Sequence, residues 1–100
     1  MSMTEAGLDP SAVSIRVEGR VQGVGFRYNA QRKASALSLT GWVRNERDGS
    51  VALVCEGGAA AIAAFLDWLE GGGPPHSRIS RIDYFRIKPT GCFSRFSVDY

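Results

Sequence analysis

The sequence predicts an α+β fold in which one mostly antiparallel sheet carries two helices on a single face. Three observations lead there. Several short runs alternate apolar and polar residues, and two other runs carry apolar residues at helical spacing. Their order is strand, helix, strand, strand, helix, strand, with one more short strand at the end. Two helices are too few to cover both faces of such a sheet, so they are expected to share one face.

Val13, Ile15 and Val17 alternate with Ser14, Arg16 and Glu18, the pattern of a strand with one buried side. Phe26, Ala30, Ala34 and Leu37 then recur at helical intervals, with the helix expected to end near Ser38. Trp42 to Glu46 and Val51 to Glu56 form a hairpin, because Asp48-Gly49 between them is a strong turn signal. Ala59 to Glu70 places Ile62, Phe65, Leu66 and Leu69 on one helical stripe, and GGGPP at 71–75 stops it. Ile79 to Ile87 reads as a strand whose two faces are both partly apolar: Ile82 and Tyr84 on one, Phe85 and Ile87 on the other. Phe96, Val98 and Tyr100 alternate with polar residues as a short extra C-terminal strand. This is the split βαβ, or ferredoxin-like, sandwich.

The length of 100 residues fits one domain, taken as residues 12–100, and 44% hydrophobic residues suffice for a modest core. Residues 1–11 have no basic or apolar targeting pattern and are expected to be a disordered tail. No apolar run reaches the ~18 residues of a membrane span, so no membrane partner is expected. Cys55 and Cys92 both fall in strand-like runs without metal spacing, which suggests buried, reduced thiols and a cytoplasmic setting. Net charge is only +2, too little to argue for nucleic acid, yet ten of the twelve basic residues are Arg. Arginine suits bidentate recognition of anions.

The stretch GRVQGVGFR, residues 19–27, lies between the first strand and the first helix. It is not a Walker A loop, because no Gly-Lys occurs, and not a dinucleotide fingerprint, because Tyr28 stands where the third glycine belongs. Its glycines still permit the positive φ angles with which backbone N–H groups converge into an anion nest. The helix that follows points its unpaired N–H groups the same way. Arg27 then sits at the positive end of the helix dipole, unfavourable by about 0.3–1 kcal/mol unless an anion lies between. The alternatives are a pair with a carboxylate such as Glu18, or a side chain reaching solvent.

Other catalytic groups are scarce. The Cys-x5-Arg pattern fails, since Ala61 and Val98 occupy the positions where Arg is needed. No Asp-x-Asp pair is present, and His76, the only histidine, sits in a Pro/Gly-rich connection expected to be solvated. Asn45 ends the second strand on the side of Val43, which turns it toward the helix-covered face if Val43 is in the core. Taken alone, it reads as an amide that caps the hairpin mouth or satisfies backbone groups.

GRVQGVGFR together with GWVRNERDGSV at 41–51 strongly resembles the acylphosphatase family. The resemblance continues through Glu56-Gly57, the Phe65–Trp68–Leu69 helix, Ser77-Arg78-Ile79 and FSVDY at the end, covering Val13 to Tyr100. It implies a small ferredoxin-like hydrolase of acyl phosphates that needs no metal or cofactor. By the same resemblance, the phosphate is bound by Gly19, Arg20, Val21, Gln22, Gly23, Val24, Gly25, Phe26 and Arg27, through their backbone N–H groups and the Arg27 guanidinium. Arg27 and Asn45 are the implied catalytic pair, Asn45 orienting the attacking water. Inorganic phosphate or sulfate is an expected occupant of the loop, and a monomer is the expected state. One departure is Leu37-Ser38-Leu39, where the family has Gly between the leucines; Ser fits a left-handed position after a helix less well. Tyr28, just after the first motif, and Trp42, within the second, are read as site neighbours or as packing or surface residues.

Two other readings compete. A ferredoxin-like RNA-binding module stacks bases on aromatics of a central strand, and VALVCE at 51–56 has none. A phosphate-binding regulatory domain would keep Arg27 without needing Asn45.

Overall fold

The computed structural model describes residues 10–100; residues 1–9, most of the expected tail, lie outside the described residues. The elements are β1 (Pro10–Arg20), α1 (Phe26–Ala36), β2 (Thr40–Asn45), β3 (Val51–Gly58), α2 (Ala59–Glu70), β4 (Arg78–Ile87) and β5 (Phe96–Asp99). Pro10 and Ser11 pair with Gly58 and Gly57, so β1 begins ahead of the alternating run.

The sheet order is β4-β1-β3-β2-β5. All neighbours are antiparallel except β2 and β5, which run parallel. Register places Tyr84, Ile15, Leu53, Val43 and Val98 in one row across the sheet. The next row on that face runs through Ile82, Val17, Val51 and Asn45. Ile15, Leu53, Val43, Val17 and Val51 are buried, together with Phe26, Ala30 and Ala34 of α1 and Ile62, Phe65 and Leu69 of α2. Both helices therefore close the same face. Each large side chain removed from water there contributes about 1.5–3 kcal/mol. The opposite parity, with Arg16, Trp42, Arg44 and Val54, forms the open face.

The open face is held by polar contacts. Arg16 bonds to Glu18 and Asp48, and Arg44 lies 4.5 Å from the centre of the Trp42 ring. Trp42 is thus turned away from the helices. Asp48 shapes the β2–β3 turn by accepting from Ser50 N at 2.9 Å and Ser50 Oγ at 2.6 Å. Those two bonds, with Arg16 adding to them, hold the Asp48 carboxyl well below the usual range.

At one end of the open face Glu56 is 5% exposed. Its carboxylate accepts from Thr90 N and Thr90 Oγ1, each at 2.9 Å, and from Gly91 N at 3.0 Å. This fastens the connection between β4 and β5 against the sheet. It also corrects the reading of Cys92. That residue lies in the connection, exposed, with its N–H bonded to Thr90 Oγ1, while Cys55 in β3 is buried and its thiol pushed up to about 12 by burial.

Candidate active site

β1 ends in the loop 21–25 because the backbone must leave the sheet and enter α1 within five residues. Val21 anchors the loop in the core at 1% exposure. Gly23 and Gly25 take φ of 75° and 77°, left-handed conformations that side-chain-bearing residues adopt at a cost. Gly25 is also the N-cap of α1. With no side chain it caps nothing, and the first turn holds no acidic residue. The dipole and the leading N–H groups of α1 thus face outward beside the two glycines.

These groups border a cleft of about 510 Å³, within the range of small-molecule sites. Gly23, Gly25 and Arg27 line it from the loop and the start of α1, and Asn45, at the end of β2, and residues in and beside β5 line it from the sheet. The fold therefore brings Arg27 and Asn45 to one cavity from elements separated in sequence. Val43 is fully buried and Asn45 half-buried on the same face, as the alternation of β2 requires.

Arg27 does not pair with Glu18, which is engaged by Arg16 on the open face. Its Nη1 donates to the Asp99 carbonyl at 3.3 Å, and its guanidinium lies 4.8 Å from the Tyr100 ring centre. Both contacts leave further N–H donors on the fork available to a ligand. Arg95 lines the cleft as a second cation, and among the described residues no Asp or Glu does. The local electrostatics favour an anion.

Within the 19–27 stretch, Val21, Gly23, Gly25, Phe26 and Arg27 line the cleft; Gly19, Arg20, Gln22 and Val24 do not. Gly19 sits at a bulge in the β1–β4 pairing, where a Cβ would come within 2.1 Å of the Arg78 carbonyl oxygen. Its lack of a side chain serves close strand approach. Arg20 is exposed and pairs with Arg78 across the same ladder, and Val24 packs on the core. The Gln22 side chain reaches the β2–β3 hairpin instead.

Tyr28 lines the cleft and Trp42 does not. Gln31, Arg95, Ser97, Val98 and Tyr100 also line it and were not singled out from sequence. The alternation of β5 marks Val98 as inward-facing, but nothing local shows that β5 lies beside β2. His76 is exposed. Among the described residues no three His, Cys, Asp or Glu side chains gather as a metal site, and no helix is long and apolar enough to cross a membrane.

A cleft that joins a glycine loop, a helix N-terminus, an arginine fork and a neutral amide can hold a tetrahedral oxyanion and direct a small polar molecule at it. The family model described as Acylphosphatase matches residues 13–98. An acylphosphatase of Methylococcus capsulatus is 50% identical over 86 residues, 86% of this chain and 92% of that protein. The solved structure of an acylphosphatase from Coxiella burnetii superposes with a TM-score of 0.85 at 36% identity, covering 91% of this chain and 94% of that one. The acylphosphatase structure from Bacillus subtilis gives 0.84 at 38% identity, covering 90% and 99%.

Proposed function

This chain belongs to the acylphosphatase family of hydrolases, which act on acyl phosphates, and from that premise we propose a mechanism built on Arg27 and Asn45. The observation that carries it is the meeting of these two side chains in one cleft with the glycine loop and the N-terminus of α1.

The phosphoryl group of the substrate is held by the backbone N–H groups around Gly23 and Gly25 and by the start of α1, and Arg27 grips its oxygens through the free part of its fork. Asn45 accepts a hydrogen bond from the attacking water and orients it in line with the bond to be broken. Water forms the new P–O bond; the P–O bond to the acyl oxygen breaks, and the pair leaves with the carboxylate. The water's proton passes to a phosphoryl oxygen, since an amide is no base at neutral pH.

Few groups suffice because the carboxylate is already a good leaving group. Phosphoryl transfer then depends on placing the water and on stabilising the equatorial oxygens. The form proposed is a cytosolic monomer with no cofactor, taking a small acyl phosphate and open to inorganic phosphate or sulfate in the same loop.

Hydrolysis of acetyl phosphate or benzoyl phosphate with chelator present tests this. Wild type turns over, Arg27→Ala loses nearly all activity, and Asn45→Ala loses most of it while still binding phosphate. Full activity in Arg27→Ala overturns the mechanism, and activity abolished by chelator overturns its metal independence.

A further inference from the structure

We propose that Gln22 is a positioning residue that aims Asn45, an inference resting on the role proposed for Asn45 above. Gln22 stands inside the glycine loop, between Val21 and Gly23, which both line the cleft, yet its own side chain is not part of the lining. Its Nε2 donates to the carbonyl of Glu46 at 2.8 Å and to the carbonyl of Ser50 at 2.8 Å. Both partners are acceptors only, so the amide NH2 must face them, and its two hydrogens are both used.

The acceptors flank the mouth of the β2–β3 hairpin, and Glu46 directly follows Asn45. The hairpin is already closed without Gln22. Glu46 N donates to the Ser50 carbonyl at 2.8 Å, Gly49 N donates to the Glu46 carbonyl at 3.2 Å, and Asp48 braces Ser50. What Gln22 adds is the placement of that hairpin against the loop. One amide ties the segment that faces the phosphoryl group to the carbonyl of the residue that follows the water-directing Asn45. Losing it would leave each half intact and change their relative position, which in-line attack does not tolerate.

Gln22→Met keeps the length of the side chain and removes the donor. With acetyl phosphate as substrate, kcat is expected to fall about tenfold or more, since small misplacements near a reacting group cost that much. Competitive inhibition by inorganic phosphate should change by no more than about threefold, because binding and chemistry separate in such a variant. In an Asn45→Ala background the same substitution should alter kcat by less than about twofold, the non-additivity of residues that act as a unit.

The second readout is the side-chain amide of Asn45 in proton–nitrogen NMR spectra of phosphate-saturated protein. Its cross-peaks should move or broaden in Gln22→Met. Equal losses of kcat in the two backgrounds, or unmoved Asn45 cross-peaks, overturn the proposal. If wild type fails to hydrolyse acetyl phosphate, the mechanism above fails, and the NMR comparison still decides whether Gln22 sets Asn45.

Discussion

The Arg27 guanidinium lies against the face of Tyr100, 4.8 Å from the ring centre, while donating to the Asp99 carbonyl at 3.3 Å. A side chain from the first turn of α1 is thus steadied by the far end of the chain. The contact limits the arcs through which a long, flexible cation moves, and the cleft lies beside it.

Removing the ring should therefore loosen Arg27 without removing its charge. An exposed cation–π contact is worth about 0.5–1 kcal/mol. Tyr100→Ala is expected to raise KM for acetyl phosphate about two- to fivefold, the same energy expressed as binding. Tyr100→Phe should restore it, because the ring face and not the hydroxyl carries the contact. Steady-state kinetics on the two variants checks both.

Glu56 makes stability depend on acid. Burial raises its pKa, but hydrogen bonds from Thr90 and Gly91 outweigh that and leave the carboxyl below its ordinary value of 4.5. A group depressed in the folded state contributes stability that is present above the unfolded pKa and disappears as pH falls through the folded one. Urea unfolding should thus show stability declining below about pH 4.5, part of it from Glu56. Glu56→Gln turns an NH2 toward the N–H donors of Thr90 and Gly91, and should cost about 1–3 kcal/mol at pH 7. The variant's acid slope should be shallower than that of wild type.

Ser38 follows α1 with φ of 61°, the left-handed position where glycine is favoured. Its N–H is bonded to Ser35 O at 3.0 Å and that of Leu39 to Ala34 O at 2.9 Å, so the helix end is well closed and the strain lies in the serine itself. Ser38→Gly is expected to gain about 0.5–1 kcal/mol net of the extra freedom of the unfolded chain. In a domain of this size that is a rise in Tm of roughly 2–8 °C, with kcat unchanged. Calorimetry measures it directly.

Most of the fold was legible because it rests on local patterns. Val13, Ile15 and Val17 alternate, Asp48-Gly49 turns, and Ile62, Phe65 and Leu69 stripe a helix; each depends on neighbours within a turn or two. Cys92 was misread for the same reason. Its surroundings look strand-like, but Glu56, 34 and 35 residues from its partners Thr90 and Gly91, draws that segment out of the ladder.

The candidate site divides along the same line. Sequence alone determined the glycine turn at Gly23 and Gly25, the oddly placed charge of Arg27, and the sheet face that Asn45 shares with Val43. Those follow from backbone sterics, the helix dipole and the two-residue period of a strand. Only the tertiary structure decided that β5 lies parallel to β2, that Arg27 reaches Asp99 across 72 residues, and that Gln22 fastens Glu46 and Ser50 across 24 and 28. Contacts of that span arise from burying one shared face of the sheet under both helices, and no local pattern encodes their partners.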